Sequence, residues 1–136
     1  MQNPPPGLPG KSSTGLDENI AALLAYVFGW VSGLIFFLIE KDSKLVRFHA
    51  MQSILFNVLV VIVCIVGWIV TFVFVLIASQ LPGILGTLAG LVVSLIWLVV
   101  VVGLLATWVL CLVRAYQGKF FKLPLIGNMA EKITNK

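Results

Sequence analysis

The chain has 136 residues, 60% of them hydrophobic and only 10% charged, with a net charge of +4. A water-soluble domain carries about a quarter charged residues, so this composition excludes a surface that faces water throughout. The charges are also segregated: Asn19 to Ile39 and Phe48 to Val113 contain no Asp, Glu, Lys or Arg. The basic residues therefore border apolar runs, which points to membrane orientation and anionic headgroups rather than to nucleic acid. The expected class is an all-α integral membrane protein in a prokaryotic plasma membrane.

Residues 1–15 are rich in Pro, Gly and Ser and read as a flexible tail. They have no basic segment leading into a short apolar core and do not resemble a signal peptide. Thr14 and Asp17 have capping-box spacing, which starts a first helix near Leu16. The membrane domain then runs over residues 16–113, with spans at about 19–39, 48–78 and 88–113. The first covers roughly 30 Å at 1.5 Å per residue, the thickness of a bilayer core. It ends at the polar turn Glu40-Lys41-Asp42-Ser43-Lys44. Residues 48–78 exceed one untilted span, so either a long tilted helix or an interfacial helix followed by a span is expected. No Gly or Pro interrupts 44–66, which favours the continuous helix. Ser79-Gln80-Leu81-Pro82-Gly83 breaks the chain before the third span. Residues 114–136 mix Phe120, Phe121, Leu123, Leu125 and Ile126 with lysines, as in a segment at the headgroup boundary.

With three spans, the N-terminal segment and second loop share one side and hold only Lys11. The other side holds Lys41, Lys44, Arg47, Arg114, Lys119, Lys122, Lys132 and Lys136. The positive-inside rule then puts the N-terminus outside and the C-terminus in the cytoplasm.

Ala21, Ala25, Gly29 and Gly33 form a stripe of small residues at steps of four, and Gly86, Gly90 and Ser94 repeat it. Small residues let helix backbones approach in lipid, within this bundle or in a homo-oligomer. His49, Gln52, Ser53 and Asn57 share one face of the second span. Buried polar groups in a membrane face protein or water, so the stripe is either interhelical glue or a polar vestibule. Glu40, Arg47, Arg114 and Gln117 are expected at one depth beside it, with Glu40 paired to Arg47, His49 or Arg114. One Glu and one His without a nucleophile make no catalytic set. Cys64 and Cys111 sit in apolar runs without metal-ligand spacing. No cofactor motif or metal site is expected.

Several blocks carry a family likeness. They are Leu16-Asp17-Glu18-Asn19, Phe37-Leu38-Ile39-Glu40-Lys41, Arg47-Phe48-His49-Ala50-Met51-Gln52-Ser53, and Arg114-Ala115-Tyr116-Gln117-Gly118-Lys119 with Leu123-Pro124-Leu125-Ile126-Gly127. Over residues 16–132 the chain resembles the small prokaryotic membrane proteins of unknown function grouped with the chloroplast import component of the Tic-twenty type. The resemblance implies a helical membrane protein, and for the plant relatives a part in protein import; it carries over no catalytic residues. The expected function is a non-enzymatic structural or assembly component of a membrane complex, with lipid and a homo-oligomer or membrane-protein partner as its company. The alternative is an oligomeric pore, transporter or translocation subunit.

Overall fold

The structure, a computed structural model, describes residues 10–135. Among them the chain forms five helices: α1 (Glu18–Val27), α2 (Trp30–Ile39), α3 (Lys44–Ala78), α4 (Gly83–Tyr116) and α5 (Ile126–Thr134). It divides into two compact units, Met1–Val58 with Trp108–Lys136, and Leu59–Thr107.

In the first unit the expected span over 19–39 is broken. Helix α1 stops at Phe28, and Gly29 takes φ +63 and ψ −132, a backbone region open to glycine and strained for other residues. Helices α1 and α2 then lie against each other. Their outer ends meet. The Ser43 hydroxyl donates to a Glu18 carboxylate oxygen (2.7 Å) and the Ser13 hydroxyl to Glu40 Oε1 (2.8 Å). The chain thus turns back to where it entered. The three-span reading puts the N-terminal segment and the first loop on opposite sides; here they touch.

The expected flexible tail also ends earlier. Residues 1–9 lie outside the described residues, but residues 10–17 form a closed turn. The Glu18 amide donates to the Gly10 carbonyl (2.9 Å), the Ser12 amide to the Leu16 carbonyl (2.9 Å), and Lys11 pairs with Asp17. Asp17 is the α1 N-cap residue but makes no side-chain cap bond. Its carboxylate is engaged by Lys11 instead, so the Thr14–Asp17 capping box does not form.

Helix α3 is continuous for 35 residues, about 52 Å long, as the absence of breakers over 44–66 suggests. It begins at Lys44, where the Val46 amide reaches the Ser43 hydroxyl (3.3 Å). Helix α4 begins five residues before the expected Leu88, directly after Pro82, whose carbonyl accepts from Leu85 and Gly86. In the second unit, Trp97 packs against Gly67, where an added Cβ would fall 2.8 Å from the indole ring, and its Nε1 donates to Thr71 Oγ1 (2.9 Å). The hydroxyls of Thr87, Ser94 and Thr107 bond back to the carbonyls four residues earlier, which satisfies them without a partner helix.

Candidate functional site

The described residues gather their polar side chains in the first unit. His49, Gln52 and Ser53 leave the first turns of α3 from one face, and all three are at most 1% exposed. Tyr26 comes to them from α1, fully buried. His49 Nε2 lies 2.8 Å from the Lys119 carbonyl, which can only accept, so Nε2 carries the proton. Nδ1 is then an acceptor, and the Tyr26 hydroxyl donates to it at 3.0 Å. Gln52 Nε2 donates to the Tyr26 oxygen (3.0 Å) and to the Phe121 carbonyl (2.9 Å), and Gln52 Oε1 accepts the Leu123 amide (3.2 Å). His49 is thereby a neutral, fully partnered imidazole.

Residues 118–125 form a strap over this face. Gly118, at φ +70, ends α4 with the Lys119 amide on the Arg114 carbonyl (3.1 Å) and the Gly118 amide on the Ala115 carbonyl (3.0 Å). At the strap's other end Leu125 has φ 66 and ψ −61, and the Ile126 amide reaches the Pro124 carbonyl (2.8 Å). That is a γ-turn with positive φ, a strained form. Gly127 follows because a Cβ there would meet Lys122 Cβ at 2.6 Å.

A second polar layer serves the break between α1 and α2. Ending a helix frees carbonyls, and in lipid each must find a donor. The Ser32 hydroxyl donates to the Ala25 carbonyl (3.1 Å), Trp108 Nε1 to that of Tyr26 (3.1 Å), and Ser53 Oγ to that of Gly29 (3.0 Å). The Phe28 amide donates to Ser32 Oγ (3.1 Å). Asn57 bonds the Ser53 carbonyl (2.9 Å) and its carboxamide covers Gly29.

Glu40 is not ion-paired as expected. Its buried carboxylate accepts from the amides of Ser13, Asp42 and Ser43 and from the Ser13 hydroxyl. Arg47 instead donates to the Glu40 backbone carbonyl (2.8 Å) and lies over the Phe37 ring. His49 is held by Tyr26 and the strap. Arg114 reaches Gln117 at 3.5 Å and lies 5.5 Å from the Phe121 ring centre, apart from Glu40's partners. Backbone amides, which carry no sequence signature, replace the expected cation.

Of the small residues, Ala21 and Ala25 are fully buried, and Gly33 meets α3 so closely that a Cβ would fall 2.9 Å from the Ala50 carbonyl oxygen. Gly29 is the hinge. Gly86 lies near the Ala78 carbonyl, whereas Gly90 and Ser94 are exposed. The residues that sequence reasoning missed are Ser13, Tyr26, Ser32, Ser43 and Trp108. A usable signal existed for Tyr26, Ser32 and Trp108: each is a polar group inside an apolar run and needs a partner there. Among the described residues no group of His, Cys, Asp and Glu is arranged to hold a metal ion.

This arrangement defines a helical membrane protein with a broken first run locked by polar side chains and a C-terminal strap. Residues 16–130 match the magnetosome magnetite crystal formation protein family, and the chain belongs to that family. It is 39% identical over 124 residues to a UPF0132 membrane protein of Methanocaldococcus jannaschii, covering 90% of this chain and 94% of that one. A second UPF0132 protein of that organism is 31% identical over 87% of this chain and 71% of its own. One from Archaeoglobus fulgidus is 35% identical over 86% of this chain and 95% of its own. No solved structure matches the chain. The chain is a multi-pass membrane protein.

Proposed function

We propose that the chain is a structural or assembly component of a membrane complex, crossing the bilayer twice, through α3 and α4, with both termini in the cytoplasm. The observation that carries the role is how the polar stripe is used. His49, Gln52 and Ser53 spend their hydrogen bonds on the chain's own backbone and on Tyr26, which leaves none of their N–H or O–H donors for a substrate. A pore or translocation subunit needs that face wet.

The topology rests on the contact of Ser13 with Glu40. With α1 and α2 entering and leaving on one side, all nine Lys and Arg residues fall on that side, and the loop Ser79-Gln80-Leu81-Pro82 opposite has none. Nine against zero obeys the positive-inside rule better than eight against one. The family description names magnetite crystal formation. For this chain we carry over a membrane at which other components assemble.

Two measurements test the reading. An N-terminal reporter active only in the cytoplasm should be active; activity only of an exported reporter would restore the three-span arrangement. Cysteines placed at 49, 53 and 57 should resist a water-soluble reagent, and labelling at all three would establish a vestibule and remove the structural reading. A native pull-down in mild detergent then names the complex.

A further inference from the structure

Helix α5 carries apolar residues on two flanks, and only one meets protein. Ile126, Gly127 and Ala130 are buried, Ala130 in a cluster with Phe48 and Met51 of α3. Leu125, Met129 and Ile133 follow at steps of four and are 81%, 51% and 38% exposed. Leu125 is the most exposed large apolar side chain among the described residues, and it is presented by a backbone held at positive φ. Beside this flank stands Lys132, exposed; on the opposite flank Glu131 is neutralised by Lys122 at 2.6 Å.

The helix is tied to α3 at Phe48 and Met51, where the chain passes from the charged Lys44–Arg47 turn into a run of 66 residues without charge, 48–113. That passage is the headgroup boundary. Among the described residues only Lys11 and Lys122 take part in ion pairs, so Lys41, Lys44, Lys119 and Lys132 face the same boundary without a carboxylate. An apolar flank edged by free lysines at that depth has the chemistry of an interfacial helix.

We infer that α5 is an interfacial anchor: Leu125, Met129 and Ile133 enter the cytoplasmic leaflet of the chain's own bilayer, and Lys119 and Lys132 take anionic headgroups. The side of the membrane, though not the insertion, rests on the two-span topology proposed above. The anchor holds the strap in place from outside while His49 and Gln52 hold it from within.

The test uses the full chain in nanodiscs of phosphatidylcholine, with and without phosphatidylglycerol. In a Cys64→Ala background, with Cys111 fully buried, nitroxides are attached at Met129→Cys, Ile133→Cys, Asn128→Cys and Asn135→Cys. Collisions with oxygen and with a water-soluble nickel chelate give the depth of each. Positions 129 and 133 should favour oxygen and lie about 5–10 Å into the leaflet, whereas 128 and 135 favour nickel. Phosphatidylglycerol should deepen 129 and 133, and Lys119→Gln with Lys132→Gln should abolish that increment without unfolding the chain. Nickel access at 129 and 133 equal to that at 128 and 135 overturns the anchor, and an absent lipid-charge effect overturns the headgroup contact. An exported N-terminus would overturn the topology alone, because it leaves the depth profile unchanged.

Discussion

Replacing Glu40 by Gln tests the loop that closes the first helix pair. The side chain is fully buried. Its oxygens accept the amides of Ser13 (3.0 and 3.1 Å), Asp42 (3.0 Å) and Ser43 (2.9 Å), and the Ser13 hydroxyl (2.8 Å). Burial by itself raises the pKa. The Ser43 amide, the Ser12 hydroxyl and the Ser13 amide and hydroxyl outweigh it and lower the group from 4.5 to about 2. At about 1.36 kcal/mol per unit, the ionised form adds on the order of 3 kcal/mol to folding.

The sign follows from the lowered pKa. The contribution is whole above pH 4.5 and is lost as pH falls toward 2. Glutamine carries no charge at any pH, and its NH2 group sets a donor against the Ser13 amide. Glu40→Gln should therefore lower stability by about 2–3 kcal/mol at neutral pH, with the gap closing as the acid range is crossed. Paired unfolding curves of wild type and variant in mild detergent, taken across the acid range, measure it. A gap under about 1 kcal/mol at neutral pH, the size of an ordinary hydrogen bond, would refute the reasoning. So would a gap that persists unchanged down to pH 2.

Two further substitutions probe other contacts. Gly33→Leu forces a side chain into the space filled by the Ala50 carbonyl, Ser53 and Ile54, and should cost about 1–3 kcal/mol in thermal unfolding; unchanged melting would mean that α2 and α3 do not touch there. Gln52→Leu leaves the Phe121 carbonyl and the Leu123 amide without partners, at about 1–3 kcal/mol for each buried group. It should also release the strap, so that trypsin cuts after Lys119 or Lys122 faster than in the wild type.

The long helices are legible in the sequence because charge-free runs and uninterrupted apolar residues leave lipid as the only solvent that fits. The reversal of the first run is not. Asn19 to Ile39 has the length of a span, and Gly29 fits a small-residue stripe as well as it fits a hinge. What decides is the meeting of Ser13 with Glu40, 27 residues away, and such a contact leaves no periodicity. The polar stripe of α3 is legible as a stripe, but apart from the Tyr26 hydroxyl its partners are backbone groups at 29, 53, 119, 121 and 123, and any residue type supplies those.

The blocks that carry the family likeness acquire a physical meaning from this. The segment from Arg47 to Ser53 supplies His49, Gln52 and Ser53, and the segment from Arg114 to Gly127 supplies the strap they bind and the two turns that aim it. Each block is half of one contact. A helix interrupted within lipid is tolerated only when its freed carbonyls are covered; Ser32 covers that of Ala25, and Trp108 and Ser53 add a donor to those of Tyr26 and Gly29, which also accept the Gly29 and Gly33 amides. Water in a path along this face would compete with these donors for the same carbonyls, so opening one would loosen the contacts that hold the break. Holding the first run folded back and conducting through the same face are therefore competing uses of the same atoms, and the hydrogen bonds observed are those of the first.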